Sequence, residues 1–291
     1  MRVRRTGVFI AVSTSVVLVA FGLNGVSSSA ASPRTSVASE RARGARRVSR
    51  FVTRCTFSHT LSDDPIVKPN LPGASHSHDF FGNATTNAAT TIASLDAGGT
   101  TCIDQLDHSG YWVPSLTVNG VSVPPTFANV YYQSAGKPFR TIKTIPHGLE
   151  VVAGDSTAIA PQSLQVVSYN CSANEDIDFS SNAPTCPRPT LTMHINFPDC
   201  WNGKDLDSTD HKGHLAYHSA DGSCPAGYPV PIPRVRVNVH YPTIGGPGVA
   251  LASGGQYSGH ADFFNAWVPT ELQRLVSTCI NRGRICKAQR R

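Results

Sequence analysis

Residues 234–241 read Arg-Val-Arg-Val-Asn-Val-His-Tyr, an unbroken alternation of polar and apolar side chains. Successive side chains of a β-strand point to opposite faces, so the valines and the tyrosine share one face and the polar residues share the other. The pattern predicts a strand whose apolar face packs in a core and whose polar face is free to line a groove.

Strand patterns recur before this stretch. Segment 116–123 alternates polar and apolar residues around Asn119-Gly120, the strongest short-range signal for a β-hairpin. Clusters of Pro, Gly, Ser and Asn, which favour turns, separate the other apolar runs. These further predicted strands are Phe127–Tyr132, Leu149–Ala153, Leu164–Tyr169 and Leu191–Phe197.

One amphipathic helix is predicted near the C-terminus. Pro269 suits a first helical turn, Thr270 with Gln273 fits a capping box, and Gly283 marks the end. The apolar residues recur at helical spacing: Leu272, Leu275, Val276, Cys279 and Ile280. We therefore predict a mainly β fold, a disulfide-stapled β-sandwich with one C-terminal helix, in a single domain over residues 51–286.

The eight cysteines all follow the N-terminal apolar stretch, and none forms the paired spacing of a zinc finger or a redox site. An even number of cysteines is typical of a disulfide framework in an oxidising compartment. Sequence leaves many pairings open. Joining each cysteine to the next along the chain predicts Cys55–Cys102, Cys171–Cys186, Cys200–Cys224 and Cys279–Cys286.

The N-terminus has the pattern of a secretory signal peptide over residues 1–31. Arginines precede an apolar stretch, and small residues follow it. The apolar stretch falls short of the roughly 20 residues that usually span a bilayer, although an uncleaved anchor is the alternative. The composition of residues 32–50 predicts a basic disordered linker. We expect a secreted, extracellular protein with no transmembrane anchor after signal cleavage.

The net charge of +6 comes from the two ends of the chain. Nine of the 25 basic residues precede Phe51, and five more lie between Arg282 and the end, where residues 287–291 form a basic tail. Between those ends, 11 basic residues face 18 acidic ones. The basic balance therefore gives no support for a nucleic-acid groove, and we expect no nucleic-acid partner.

The 11 histidines include compact groups with acids beside them. His76 and His78, two apart, would project to one face of a strand, with Asp79 on the other face. Imidazole is the commonest transition-metal ligand and titrates near neutrality, so the pair predicts metal ligands or catalytic groups. In a tight turn, the same residues would only cap backbone groups.

Two other groups resemble this one in spacing. His260 and Asp262 share one face of a predicted strand, and His194 and Asn196 share another. Each pair would either line a cleft or face solvent. The echo of Asp-Phe-Phe at 79–81 and 262–264 is as compatible with chance as with two arms of one site.

The segment 207–214 packs two acids and two histidines between Cys200 and Cys224. A disulfide there would preorganise a polar loop. His211 and His214 are then candidate metal ligands, and Asp210 is a candidate acid or base. A hydrophilic surface loop is the alternative interpretation.

Several aromatic and polar side chains could bind substrate. We predict Trp201, Asn196, Tyr217 and Trp267 as substrate-binding residues, and Trp112, Tyr131 and Tyr132 are further stacking candidates. The chain contains neither the HExxH motif of zinc proteases nor the GxSxG motif of α/β-hydrolases, which leaves those reactions unsupported.

Four longer motifs carry a family resemblance. They are His-Ser-His-Asp-Phe-Phe-Gly at 76–82, Cys-Trp-Asn-Gly-Lys-Asp-Leu-Asp-Ser at 200–208, Pro-Val-Pro-Ile-Pro at 229–233 and Gly-His-Ala-Asp-Phe-Phe-Asn-Ala-Trp at 259–267. From Arg54 to Trp267 the chain resembles a secreted family of actinobacteria and filamentous fungi that is known only as a domain of unknown function. Some fungal members carry WSC-type carbohydrate-binding domains. Tyr228 and Ala266 depart from the family pattern, which implies a histidine and a glycine there.

The resemblance implies an extracellular role at a polysaccharide or the cell wall, without an established reaction. The first hypothesis is a polysaccharide lyase or hydrolase, with His76, His78, Asp79, Asp210, His260 and Asp262 as catalytic residues. A divalent metal is a candidate cofactor, with His76, His78, His194, His211 and His214 as candidate ligands. The alternatives are a non-catalytic carbohydrate-binding or wall-associated module and a metal-binding secreted protein.

Overall fold

The computed structural model describes residues 48–137, 141–171 and 178–287. The predicted signal peptide, most of the predicted linker and all but the first residue of the predicted basic tail lie outside the described residues. Among the residues described, no helix is long and apolar enough to cross a bilayer.

The described chain is dominated by strands. They are β1 (Arg50–Leu61), β2 (His78–Gly82), β3 (Gly110–Pro114), β4 (Leu116–Val118), β5 (Val121–Ser122), β6 (Phe127–Gln133), β7 (Glu150–Gly154), β8 (Val167–Cys171), β9 (Leu191–Asn196), β10 (Cys200–Trp201), β11 (Leu215–Ala216), β12 (Val230–Pro231), β13 (Arg234–Tyr241), β14 (Val249–Leu251), β15 (Gly254–Gly255) and β16 (His260–Phe264). The helices are α1 (Ile92–Ala97) and α2 (Pro269–Leu275), and a π-helical turn (Val276–Ile280) continues α2.

One large antiparallel sheet has the strand order β7-β16-β3-β2-β1-β6-β13-β9-β8. β1 takes part in both halves of this sheet, because Arg50–Thr56 pairs with β6 and Phe57–Leu61 pairs with β2. The register of the β1–β2 pairing shifts between Phe57 and His59. Strands that bend in this way carry a sheet around a corner. The result is a β-sandwich that nearly closes as a barrel, with a β16 half (β2, β3, β16, β7) and a β13 half (β6, β13, β9, β8).

Two smaller sheets complete the fold. β10 pairs with β11 and β12, and β14 pairs with β4 and β15. The hairpin of β4 and β5 turns at Asn119 and Gly120, whose φ angles of 52° and 79° are the positive values that a tight two-residue hairpin turn requires. The predicted hairpin is confirmed.

The core lies between the two halves of the sandwich. Phe263 of β16 stacks on Tyr111 of β3, with ring centroids 5.1 Å apart. It also contacts Tyr132 of β6 and Phe197 after β9 edge-on, at 6.4 and 6.1 Å. One aromatic ring thus bridges both halves. The strand predicted at residues 234–241 is confirmed as β13, because its valines and Tyr241 are buried in this core.

The outer face of the β16 half is covered as well. Phe80, Trp112, Val152 and Phe264 project outward from its four strands and form a second apolar cluster. Ile66, from the loop between β1 and β2, packs on that cluster with Leu95 and Ile92 of α1. The β16 half therefore has few side chains in contact with water on either face.

The C-terminal helix is confirmed, with its predicted apolar residues buried. The predicted capping box is wrong. The helix begins at Pro269, and Val268 is its N-cap residue, without a side-chain capping hydrogen bond. Thr270 therefore lies inside the first turn. Helix α1 was not predicted from the sequence; it begins with a capping box between Thr91 and Ser94.

The four predicted disulfides are confirmed as Cys55–Cys102, Cys171–Cys186, Cys200–Cys224 and Cys279–Cys286. Each joins segments that are close along the chain, and no cysteine is free. Cys200–Cys224 brackets the polar loop 207–214, and Cys279–Cys286 closes the end of the C-terminal helix.

Replacing Phe263 with alanine should destabilise the protein by about 3–5 kcal/mol, because the cavity would open between both halves of the sandwich. Urea unfolding followed by fluorescence measures this change. Ile159→Ala is the matched control, since Ile159 is 95% exposed and its truncation should shift the free energy of unfolding by less than about 0.5 kcal/mol. Equal effects of the two substitutions would contradict this description of the core.

Candidate metal centre

Two histidines from different strands meet on the outer face of the β16 half. His78 of β2 pairs with Pro114 of β3. On the other side of β3, strand β16 pairs with it so that Asp262 lies opposite Trp112. In this antiparallel register, His260 of β16 lies beside Pro114 as well. The two imidazoles reach towards each other across β3, and their Nε2 atoms are 3.3 Å apart.

His76 joins the pair from the loop that precedes β2. Its Nε2 atom lies 3.1 Å from Nε2 of His260. Asp63 holds this loop in place, because its carboxylate accepts hydrogen bonds from the main-chain N–H groups of Gly73 and Ala88, at 2.8 and 3.0 Å. Three imidazoles from two distant parts of the sequence therefore converge.

The other ring nitrogens fix the orientation of two imidazoles. Nδ1 of His78 donates to the carbonyl oxygen of Asp63, and Nδ1 of His260 donates to that of Ser258, both at 2.9 Å. A carbonyl only accepts, so in the neutral rings both Nε2 atoms carry lone pairs. Lone pairs 3.3 Å apart repel unless a cation lies between them. Ligating histidines in metal sites commonly donate their second N–H to a carbonyl in the same way.

Burial lowers the pKa of all three imidazoles. It lowers the pKa of His260 to about 4 from an ordinary value of 6.5. The pKa of His78 also falls well below its usual value, because of burial and then the neighbouring His260 and His76. For His76, burial outweighs the opposing effect of Asp64. The rings are therefore neutral near pH 7, the form that binds metal.

Two buried carboxylates adjoin the imidazoles. Asp262 shares the outer face of β16 with His260, is 1% exposed, and has no hydrogen-bond partner on either oxygen among the described residues. One oxygen of Asp64 accepts from the N–H groups of Ile66 and Val67, at 3.0 and 2.9 Å. Burial raises the pKa of Asp262 well above its usual value, and Asp64 adds to the effect. A bound cation would compensate the negative charge of both carboxylates.

The distances fit a metal centre. Ligand atoms of His76, His78 and His260 lie within 4.8 Å of one another, and so do those of Asp64, His78 and Asp262. Tetrahedral zinc, with Zn–N bonds of about 2.0–2.1 Å, separates two ligand nitrogens by roughly 3.3 Å. The observed separations are 3.1 and 3.3 Å. Three imidazoles with a carboxylate could hold a divalent transition metal such as zinc or copper.

The cluster faces a cavity of about 230 Å³. His76, His260 and Asp262 line it, together with the exposed residues Lys68 and Lys212. A metal held by these histidines would have room for water or a substrate group on its cavity side. Catalytic metal sites keep such an open position, whereas structural sites are closed by protein ligands.

A family model described as "Domain of unknown function (DUF1996)" matches residues 64–267. The match includes all five side chains of the cluster. The chain belongs to this family. No curated protein and no solved structure matches the chain.

Other predicted site residues of this DUF1996 domain lie apart from the centre. Asp79 points to the opposite face of β2, where one carboxylate oxygen accepts hydrogen bonds from the hydroxyl groups of Thr60 and Ser115, at 2.7 and 2.9 Å. His194 lies in the β13 half. Its Nε2 is 2.8 Å from the side-chain oxygen of Asn170. Strand β9, which carries His194, lies across the core from the histidine cluster.

The loop 207–214 adds no ligand atom to the cluster. Asp210 is exposed and accepts hydrogen bonds within its own loop, which lower the pKa of this carboxyl. His211 contacts the carboxylate of Asp207 at 2.9 Å, and His214 donates to a main-chain carbonyl of β7. What the loop does contribute to the cavity is Lys212.

The predicted substrate-binding residues differ in exposure. Trp267 is 1% exposed and donates to the hydroxyl of Tyr132, so it is a core residue with no surface for a ligand. Trp201 is half-buried, and its indole N–H donates to a carbonyl of its own loop. Tyr217 is 38% exposed, and its hydroxyl donates to the carbonyl of Asn196.

Sequence reasoning missed Asp63 and Asp64. Two adjacent acids followed by Pro-Ile-Val, shortly before the His-x-His pair, were the available signal. Asp63 positions the loop and the ring of His78, and Asp64 places a carboxylate beside that ring.

Stoichiometric zinc should bind to the protein purified without a polyhistidine tag. Zinc at 100 times its Kd should stabilise the fold by about 2.7 kcal/mol, because the ion binds only the folded state. Elemental analysis after dialysis and the melting temperature with and without chelator measure both effects. His76→Ala and His260→Gln should abolish binding.

His147→Ala is the control, since His147 lies away from the cluster and pairs with Asp96. Circular dichroism checks that each variant folds. Absence of bound metal in the wild-type protein, together with a melting temperature that chelator does not change, would exclude the metal centre.

Proposed function

We propose that the protein is a secreted, metal-assisted enzyme, a hydrolase or lyase, that acts on an extracellular or cell-wall polysaccharide. The convergence of three neutral imidazoles with inward-facing Nε2 atoms beside an open cavity carries this proposal. The four disulfides are compatible with an oxidising, extracellular location. The family resemblance to proteins with carbohydrate-binding domains supports the class of substrate.

The residues of the centre divide the chemistry between them. His76, His78 and His260, with Asp262, would hold the metal, which when bound supplies a Lewis acid and lowers the pKa of an attached water. The carboxylate of Asp64 is oriented by two main-chain N–H groups. We assign to it the role of proton acceptor, from water in a hydrolase or from a sugar carbon in a lyase.

The second candidate is a non-catalytic carbohydrate-binding module. The exposed ring of Tyr217, which lines a cavity beside the metal centre, favours it. Aromatic rings with polar neighbours commonly line such ligand sites. Binding of a polysaccharide without any change in its length would select this alternative.

A panel of polysaccharides, assayed for new reducing ends and for unsaturated products, tests the enzyme and its substrate together. We expect activity on at least one polymer, lost in chelator and restored by added zinc or copper. The double variant His76→Ala/His78→Ala should be inactive because it lacks two ligands. Activity that survives both alanines would eliminate the proposed centre.

Asp64→Asn should lower kcat by about 100-fold to 10,000-fold, the usual contribution of a general base, while the protein retains stoichiometric metal. The amide keeps the size of the side chain but accepts no proton. Asp96→Asn, an identical change at an exposed position, should leave kcat unchanged. An unaltered kcat in Asp64→Asn would remove Asp64 from the mechanism.

A further inference from the structure

The cavity at the metal centre continues into a second one. Both are lined by Val152 and Lys212. The second cavity, of about 260 Å³, extends along the seam between β7 and the β8–β9 pair, where Tyr217 and Val166 line it.

A third cavity, of about 570 Å³, follows on the outer face of the β13 half. Its lining residues His218 and Gln165 are chain neighbours of Tyr217 and Val166 in the second cavity. The hydroxyl of Tyr217 donates to the main chain of Asn196, which also lines the third cavity. We call these three neighbouring cavities together the seam groove.

At the far end of the seam groove lies an arginine whose positive charge is little compensated by nearby groups. Arg234 is largely buried, and its Nε atom has no acceptor among the described residues. The nearby carboxylate of Asp199 is already engaged by Lys137 and by Nδ1 of His218, the latter at 2.8 Å. A buried guanidinium without a dedicated carboxylate is costly unless an anion binds it.

Other polar groups surround this arginine. The side-chain oxygen of Asn196 is buried and has no hydrogen-bond partner among the residues described. Arg236, two positions along β13, lies over the ring of Phe179 at 5.1 Å and bonds to Asn238. Guanidinium, amide and aromatic groups in one cavity are the combination that binds an acidic sugar.

We propose that the seam groove binds an extended anionic glycan, whose carboxylate or phosphate group is held by Arg234 while another part of the same glycan lies at the metal centre. The inference deepens the proposed function by assigning an acidic polymer as the substrate class. Binding at Arg234 does not itself require the metal, so the two proposals can fail separately.

Calorimetric titration of the full-length mature protein tests the groove. The probes are an oligogalacturonate, its neutral methyl-esterified form and a glycerol phosphate oligomer of similar length. We expect at least one acidic probe to bind about tenfold more tightly than the neutral probe, the difference expected for one charge-assisted contact. Whether the oligogalacturonate or the glycerol phosphate oligomer binds distinguishes a carboxylate ligand from a phosphate ligand.

Arg234→Gln should weaken binding of the acidic probe about tenfold and leave binding of the neutral probe unchanged. Arg234→Lys should retain part of the affinity, which separates charge from folding defects. Arg188→Gln, the same change at an exposed site, is the control and should bind as the wild type does.

The same titration in His76→Ala/His78→Ala should still show acidic selectivity, because the arginine end is intact. Equal affinities of the wild type for neutral and acidic probes, or wild-type affinity in Arg234→Gln, would overturn the inference. Acidic selectivity in a wild-type protein that turns over none of the polysaccharides would instead indicate that the groove is correct and the catalytic proposal is not.

Discussion

The burial of polar atoms on the outer face of the β16 half constrains the whole centre. Apolar side chains of the sheet, the β1–β2 loop and α1 cover that face beside the cavity, so a polar atom buried beneath them must be satisfied without solvent. His78 and His260 meet this requirement on one ring nitrogen through main-chain carbonyls, and leave the other nitrogen facing a shared point. Asp262 is left with two buried oxygens that only a cation or a proton can satisfy.

Local patterns in the sequence were sufficient to predict strands and disulfides but not to predict which side chains form the candidate metal centre. Alternation predicted β13, and proximity along the chain predicted all four disulfides, because both are short-range properties. His194 and His260 have the same local signature, a histidine on a strand with a polar residue two positions later. Only the strand order places His260 beside His78 and leaves His194 in the other half. Asp64 was missed because it lies in a loop, whose path depends on the contacts of Asp63.

The two halves of the sandwich present opposite electrostatic preferences at the ends of one groove. In the β16 half, buried carboxylates and neutral imidazoles favour a cation. In the β13 half, the buried guanidinium of Arg234 favours an anion. A polymer that carries negative charge could meet both ends, one through the metal and one through the arginine.

The chain separation of the histidines has a consequence for the folded state as a whole. Each disulfide joins cysteines between 7 and 47 positions apart, whereas His78 and His260 are 182 positions apart. An ion bound by both would act as a reversible cross-link around most of the domain, restricting the unfolded chain over a range that none of these disulfides reaches. Resistance to proteases would then depend on metal supply, so that a metal-starved molecule would be degraded before a loaded one.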